Sequence, residues 1–419
     1  SVRLQRKYAL LKYYERNQQK SQTKIMKTGY SIRTWRMRLV CPEPIWLDRT
    51  EEYFQNVVEF YYHLLRQHEE LWNSSLFDIQ RSLELLTLVG RDGRQPTNPL
   101  PMGKVPVYLR RAAINKASAT VKSTQELQSG FPEKLEAKVT FFKGMYSDLT
   151  DRSICLKLWN GEKWIWTDCN LKGRPLPQDG QLMSPTLVKE GRRYLLNIPV
   201  KQENSDARTA KERMAEGTNL CSVRFTNTDT FAVCCILDEQ GKQLAVHTCR
   251  GGDAYRHRCK LLETRIQKSR PNTVGDNSPQ PNRKYYMHLK NLSEHYAHQV
   301  SREILNFCKE NQAGIIVLPD YDQNFTRMAM VKSGNFSPLH LSSKIRTNLQ
   351  YKAWAEGILV LETRTDGLKD KCAICGGRVR RKGNEFLCEN GHQGNRFLND
   401  ARNLGRKCQD SFFRGSRTK

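Results

Sequence analysis

The spacing of hydrophobic residues changes along the chain, and each change marks a different kind of structure. Large and basic residues alternate over 29–41, which is typical of a half-buried strand. From 48 to 93, apolar residues recur every three or four positions, and this spacing predicts helices packed around a core. A loop rich in Pro, Gly and Asn at 94–104 leads to a basic helix at 106–126. The first third of the chain is therefore predicted to be a strand followed by a helical domain.

Short alternating runs replace the helical spacing between 135 and 200. Turn residues such as Asn-Gly and Glu-Gly separate these runs, which predicts an antiparallel, barrel-like β domain. The polar stretch 201–217 is predicted to be a linker. From 218 onward, apolar strands alternate with amphipathic helices, which predicts an α/β sheet with a loop at 269–284 and a last helix at 397–407.

Charge narrows the classes of function. Lys and Arg number 69 against 43 Asp and Glu, so the formal net charge is +26 at pH 7. Such an excess destabilises a compact monomer unless a polyanion neutralises it, and nucleic acid is the usual polyanion. A membrane surface and a ribosomal-type structural role are the alternatives. We expect nucleic acid to be the partner.

The sequence predicts a cytoplasmic protein. It contains no run of 18 apolar residues that would predict a membrane-spanning helix. The basic start at Ser1 lacks the apolar core of a signal peptide, and the missing Met indicates processing or a chain shorter than the gene product. Nine scattered cysteines are typical of reduced thiols rather than disulfides: Cys41, Cys155, Cys169, Cys221, Cys234, Cys235, Cys249, Cys259 and Cys308.

Four residues near the C-terminus have the spacing of metal ligands, namely Cys372, Cys375, Cys388 and His392. The pattern C-x2-C, twelve residues, then C-x3-H suits a tetrahedral structural zinc. Four protein ligands leave no open position, so a catalytic zinc is not expected. Gly376, Gly377 and Gly391 allow backbone amides to turn toward the thiolates. Two points stay open: whether His392 is the fourth ligand, and whether the cysteines are vestiges of a lost site.

Five segments of the C-terminal half occur in an order and at distances that match a known family. They are 295–305, 314–318, 349–361, 372–376 and 399–403. On these segments, residues 285–405 resemble the transposon-encoded TnpB proteins and the miniature type V CRISPR effectors related to them. The first 217 residues match the family only in layout.

The resemblance implies a multidomain α+β protein. Its parts are a helical recognition domain, a β-barrel-like wedge domain, and an α/β RNase H-like (RuvC) domain with an inserted zinc ribbon. The implied boundaries are a basic arm at 1–28, a wedge strand at 29–47, the recognition domain at 48–133, the β-rich wedge domain at 134–204, the RuvC-like domain at 218–371 and 393–419, and the ribbon at 372–392.

The resemblance also implies guide RNA and double-stranded target DNA as partners. Basic residues of the first strand and of the basic helix are the candidate contacts: Arg33, Arg36, Arg38, Arg110, Arg111, Lys116 and Lys122. A solvated strand face is the alternative for the first three.

Active members of the family hold two divalent ions with three acids, which flank the scissile phosphate. The alignment puts Arg224, Pro319 and Phe397 at the three acid positions. Carboxylates are needed because Mg²⁺ takes oxygen ligands, so we expect neither Mg²⁺ at this site nor cleavage. Arg224 would repel a cation and is predicted to bind a phosphate instead.

Three nearby acids keep a displaced active site open as an alternative: Asp229, Asp320 and Asp400. Asp229 and Asp320 lie an odd number of residues beyond the lost acids, so strand alternation points them to the wrong face. Asp400 lies three residues further along a helix and returns to a similar face. Turn, cap or surface roles are predicted for Asp229 and Asp400.

With these three replacements, the resemblance implies an RNA-guided DNA-binding protein that lacks nuclease activity, in the prokaryotic cytoplasm and associated with the nucleoid. It would act by occupying its target, and so block transcription, or by recruiting transposition or transcription proteins. Two alternatives stay open: a Mg²⁺-dependent RNA-guided endonuclease with displaced acids, and a transposon-end binding protein that needs no guide. The sequence is compatible with a homodimer and specifies neither the form of the guide nor the flanking DNA motif.

Overall fold

The computed structural model describes residues 29–90, 92–127, 130–269, 282–321 and 337–414. The chain divides into an N-terminal unit that contains Ile32–Glu203 and a C-terminal unit that contains Asn204–Lys419. The predicted basic arm at 1–28 and most of the predicted loop at 269–284 lie outside the described residues.

In its described residues, the N-terminal unit combines three α-helices and a short 3-10 helix with a curled, half-barrel sheet. Its elements are β1 (Tyr30–Val40), α1 (Pro44–Gln67), a short 3-10 helix (Glu69–Leu71), α2 (Leu76–Thr87), α3 (Val107–Leu127), β2 (Tyr146–Ser147), β3 (Ser153–Trp159), β4 (Trp164–Lys172), β5 (Gln181–Leu182), β6 (Thr186–Glu190) and β7 (Arg193–Glu203). The strand order is β2-β3-β4-β1-β7-β5, and β6 pairs with β7. The structure therefore confirms the predicted mixture of helices with a barrel-like sheet.

Apolar spacing explains how the helices pack on this sheet. In α1, residues such as Phe54, Val57, Tyr61 and Leu65 form a buried stripe that packs against α3. Pro44 occupies the first turn of α1, where its missing N–H breaks no helical bond. These stripes and the inward side chains of the strands share one hydrophobic core.

The C-terminal unit is built on a five-stranded mixed sheet. Its elements up to the last sheet strand are α4 (Ala210–Ala215), β8 (Leu220–Phe225), β9 (Thr230–Leu237), β10 (Gln243–Arg250), α5 (Gly252–Lys268), α6 (Arg283–Glu310), β11 (Ile315–Asp320), a 3-10 helix (Pro338–Leu341), α7 (Ser342–Trp354) and β12 (Leu359–Arg364). The strand order is β10-β9-β8-β11-β12. β9 is antiparallel to its neighbours, whereas β8, β11 and β12 are parallel.

A small three-stranded sheet and a final helix follow β12. The strands are β13 (Val379–Lys382), β14 (Glu385–Cys388) and β15 (Gln393–Asn395), and the helix is α8 (Arg396–Arg414). The large sheet packs on α5, α6 and α7 with one face, and on α8 with the other. Alternation along β8 divides its side chains accordingly: Cys221, Val223 and Phe225 face the first layer, while the even-numbered residues face α8.

The predicted linker at 201–217 is wrong, because most of it is ordered structure. It contains the end of β7 and the helix α4. Arg213 of α4 is fully buried, and its guanidinium donates to the carbonyls of Gly314 at 2.8 Å and Gly357 at 2.6 Å. A buried guanidinium needs such acceptors, and here they tie α4 to the ends of β11 and β12.

Among the described residues, no helix has both the length and the hydropathy needed to cross a membrane.

Candidate functional site

Arg224 lies near the end of β8, on the face that α8 covers. Two residues earlier on the same face, the Ser222 hydroxyl donates to the Ala401 carbonyl of α8 at 2.6 Å. This contact fixes the helix against the strand, so only 12% of the Arg224 side chain remains exposed. A cation is therefore held inside the unit, at a position where the resemblance implies an acid.

The carboxylate that meets Arg224 belongs to Asp400 of α8. Arg224 Nε lies 3.3 Å from Asp400 Oδ2, and the Asp400 side chain is 3% exposed. Arg381 of β13 donates to both oxygens of the same carboxylate, to Oδ2 at 3.4 Å. The predicted surface or cap role of Asp400 is thus wrong, because two guanidinium groups compensate the cost of burying its charge.

Tyr321 and Arg396 complete this group of charges. Arg224 Nη1 donates to Tyr321 Oη at 2.6 Å, and its guanidinium lies 5.6 Å from the centroid of the Tyr321 ring. Burial lowers the pKa of Arg396, and the positive charge of Arg381 lowers it further. We call Arg224, Tyr321, Arg381, Arg396 and Asp400 the Asp400 cluster. It sets three cations around one carboxylate.

Pro319 and Phe397, at the other two aligned positions, supply no metal-binding atoms. Val317 of β11 pairs with Ser222, so Pro319 lies two residues further along, at the level of Arg224 on the neighbouring strand. Phe397 is buried in the first turn of α8, and the Arg396 guanidinium lies 4.6 Å from its ring centroid. Arg224 and Pro319 thus lie level with each other on adjacent parallel strands, and Phe397 lies at the start of α8.

The two other candidate acids, Asp229 and Asp320, lie in different places. Asp229 is exposed after β8, and its carboxylate accepts from the Asp253 amide at 3.1 Å, at the start of α5. Asp320 is exposed at the end of β11 and alternates to the face opposite Pro319. Within the part of the chain that the structure describes, no group of three acidic side chains gathers as a metal site.

The four predicted metal ligands do come together. The thiol sulfurs of Cys372, Cys375 and Cys388 and a ring nitrogen of His392 lie within 4.8 Å of one another. Cys375 Sγ and Cys388 Sγ are 3.4 Å apart, close to the separation of about 3.8 Å that tetrahedral zinc–sulfur bonds impose. His392 Nδ1 is buried and has no hydrogen-bond partner, which leaves its lone pair available to a metal. We call this group the Cys3His cluster, and its donors fit a metal ion.

Local backbone geometry explains the convergence. Gly376 and Gly391 adopt positive φ angles of 77° and 84°, which tighten the turns that follow Cys375 and precede His392. The Ile374 amide donates to Cys372 Sγ and the Asn390 amide to Cys388 Sγ, both at 3.4 Å. The Asn390 side chain donates to Cys375 Sγ and lowers the pKa of this thiol to about 6. These contacts therefore favour the thiolate of Cys375 before any metal binds.

Two asparagines that the sequence analysis used only for the resemblance attach the ribbon to α8. Asn399 accepts from the Ala373 amide at 2.8 Å and donates to the Lys371 carbonyl at 2.9 Å. One helical turn later, Asn403 donates to the same carbonyl at 2.8 Å. The signal that would have revealed them is two amides at i and i+4 on one helix face.

The basic residues of β1 divide between its faces. Arg36 and Arg38 are exposed and alternate with the buried Trp35 and Met37. Arg33 lies on the same side as these two apolar residues. Arg36 also forms an exposed ion pair with Glu190. Two of the three predicted contacts thus share a surface.

The basic residues of α3 divide in a similar way. Lys116 and Arg111 are exposed. Arg110 is only 8% exposed and pairs with Glu84 at 3.1 Å, and Lys122 donates to the Ser74 carbonyl at 2.9 Å. The prediction that Arg110 faces nucleic acid is wrong, because α3 packs against α2 on this side and buries the guanidinium.

Comparison with known proteins gives the fold. The structure is similar to that of Cas12f1 in its complex with single-guide RNA and target DNA, with a TM-score of 0.52, 12% identity, and coverage of 86% of this chain and 81% of that chain. It is also similar to the mini-RNA-guided endonuclease CRISPR-Cas_phi3, with a TM-score of 0.50, 9% identity, and coverage of 94% and 97%. The chain has the fold of the miniature type V effectors. The resemblance read from the C-terminal segments is confirmed at this level.

Sequence comparison adds less. The model of the Aq_aa04 family matches residues 31–160, within the N-terminal unit. No curated protein sequence matches the chain. The type V effector fold is thus recognised through structure and through the C-terminal motif segments.

Proposed function

We propose that this protein is an RNA-guided DNA-binding protein that does not cut its target. The similar Cas12f1 structure holds single-guide RNA and target DNA. The same partners suit this chain, because a formal net charge of +26 needs a polyanion. Base pairing with the guide would select the sequence, while the protein reads the backbone and a short flanking motif.

The observation that carries the absence of cleavage is the pairing of Asp400 with Arg224 and Arg381. Two-metal hydrolysis requires carboxylate oxygens that bind divalent ions. The buried carboxylate at this sheet edge is already shared by two guanidinium groups, and a third cation, Arg396, lies near it. Binding of Mg²⁺ would have to break these ion pairs and bring a divalent cation among three positive charges. The phosphate contact predicted for Arg224 finds no support in this geometry, because its guanidinium is largely buried and already shares the Asp400 carboxylate.

The C-terminal unit then serves as a scaffold with an RNase H-like (RuvC) sheet. Its strand order, with one antiparallel hairpin beside three parallel strands, supports this assignment. We assign zinc to the Cys3His cluster, which Cys372, Cys375, Cys388 and His392 would hold as a closed structural site. The ribbon has a second task in this account, because its strand β13 holds Arg381 against Asp400.

The N-terminal unit is assigned to recognition. Residues 48–133 would form the recognition domain, and 29–47 with 134–204 the wedge. Its exposed cations, Arg36, Arg38, Arg111 and Lys116, are the proposed phosphate contacts. Binding of this kind weakens steeply as salt rises. The output is occupancy in the prokaryotic cytoplasm, which blocks transcription or recruits a transposition or transcription protein, and a homodimer is compatible with it.

The test begins with the RNA that co-purifies with the full-length protein. We expect one discrete RNA class, and duplex DNA complementary to it should be bound more tightly than an unrelated duplex. Protein that carries no discrete RNA but binds the ends of a transposon would favour the guide-free alternative. A bound RNA that confers no sequence preference on DNA binding would contradict the proposal.

A further inference from the structure

A second group of metal-ligating side chains lies in the C-terminal unit, on a strand and a helix remote in sequence from the ribbon. His247 and Cys249 are two residues apart on β10 and therefore share a face of the sheet. Glu303 reaches them from α6, the helix that packs over β9 and β10. The ring nitrogen, the thiol sulfur and a carboxylate oxygen lie within 4.8 Å of one another. Nitrogen, sulfur and oxygen donors thus lie close enough together to bind one ion.

From this convergence we propose that His247, Cys249 and Glu303 bind a divalent cation of the zinc type. Nitrogen, sulfur and oxygen donors together suit borderline-soft Zn²⁺, whereas Mg²⁺ and Ca²⁺ take oxygen ligands alone. Three protein ligands leave a fourth position, which water would fill on the side where His247 and Glu303 are partly exposed. The buried Cys249 would be the innermost ligand.

The existing geometry needs little change to admit the ion. His247 Nε2 and Glu303 Oε1 are 2.6 Å apart, joined by a hydrogen bond. Ligand bonds of about 2 Å at tetrahedral angles separate two such donors by about 3.3 Å, so the pair would open by less than 1 Å. The His247 ring is already oriented, because it packs at 5.2 Å from the ring of Phe307, one helical turn beyond Glu303. The approach to the ion is from the exposed rim.

The alternative is an ordinary rim ion pair above inert core thiols. An ion pair with side chains 35% and 32% exposed contributes about 0–1 kcal/mol, and it gives no reason for a thiol to lie beside it. The surroundings are unusually rich in thiols, since Cys234 pairs with His247 across the strands and interacts with both Cys221 and Cys249. A thiol-rich wall beneath an imidazole and a carboxylate is suited to a thiophilic cation.

Two variants test the proposed ligands, and a third variant in the same hydrophobic cluster is their control. Glu303→Gln keeps the size of the side chain but removes its charge, and Cys249→Ser removes the sulfur. Cys259→Ser is the control, because Cys259 is equally buried in the same hydrophobic cluster but belongs to neither group of ligands. If Cys249→Ser fails to fold, Glu303→Gln at the partly exposed rim decides.

The experiment counts zinc bound by the full-length protein after chelation and dialysis against zinc, using elemental analysis. We expect Glu303→Gln and Cys249→Ser each to lose one zinc per chain relative to the wild type, and Cys259→Ser to lose none. Cobalt in place of zinc should show a second site with a single thiolate. Equal zinc in wild type and Glu303→Gln, or equal loss in Cys259→Ser, would overturn the proposal. The outcome is independent of guide binding and of cleavage, because neither enters the argument.

Discussion

The two clusters beside α8 differ in what their side chains retain. The Cys3His cluster keeps a full set of donors for one metal ion. The Asp400 cluster has its one carboxylate paired with cations. Both depend on the same few residues of α8, since Asn399 and Asn403 hold the ribbon while Asp400 lies between them. The ribbon therefore keeps the donors for one metal ion, while the carboxylate beside it is shared between guanidinium groups.

The two clusters are also physically coupled through one residue. Arg381 belongs to the ribbon sheet but donates to Asp400, and its Nε donates to the Lys369 carbonyl at 2.8 Å. Loss of metal from the ribbon would therefore release a cation from the buried carboxylate. Variants that perturb one cluster at a time test this coupling.

The largest expected effect is loss of the ribbon metal. Cys388→Ser, or a strong chelator, should lower the free energy of unfolding by on the order of 5 kcal/mol, because the ribbon has only a small core of its own. Thermal unfolding followed by circular dichroism would measure the change. Cys408→Ser is the control, since Cys408 is buried on α8 but is not a ligand. If neither the chelator nor Cys388→Ser changes the stability, the ribbon is not stabilised by zinc.

Removal of the buried charge should have the next largest effect. Asp400→Asn leaves Arg224 buried without its counter-ion, so we expect a loss of about 3–5 kcal/mol in denaturant unfolding. The double variant Arg224→Met/Asp400→Leu should recover much of it, because burying two apolar side chains avoids the unpaired charge. A loss below about 1 kcal/mol in Asp400→Asn, the range of exposed pairs, would show that the cluster is solvated.

A smaller effect is expected where the two clusters share the helix. Asn399→Ala leaves the Ala373 amide and the Lys371 carbonyl without this partner, which should cost about 1–3 kcal/mol. Hydrogen exchange should rise in the segment 368–375 and stay unchanged in β9. Asn390→Ala is a useful contrast, since it removes a donor to Cys375 Sγ but no contact to α8. Equal hydrogen exchange of this segment in the wild type and in Asn399→Ala would show that Asn399 does not hold the ribbon on α8.

Local patterns made the Cys3His ligands predictable, because chelate spacing is a short-range property of the chain. The Arg224–Asp400 pair was not predictable, since it depends on α8 packing against β8 across most of the C-terminal unit. Arg213 was missed because a buried guanidinium bound to carbonyls has no pattern that distinguishes it from a polar linker. The burial of Arg110 could have been predicted from the sequence. Its neighbours Leu109 and Ala113 lie on the apolar stripe of α3, and this phase brings Arg110 to the packed edge.

The central claim is binding without cleavage, and one assay tests it most directly. Full-length protein with its co-purified RNA is incubated with a matched DNA duplex in Mg²⁺, and bound and cut DNA are measured in the same sample. We expect stable complexes, equal binding with Mg²⁺ and with chelator in excess of it, and no cut strands. Cut products that require Mg²⁺ would contradict the account, because they would show that the protein holds an active metal-dependent site.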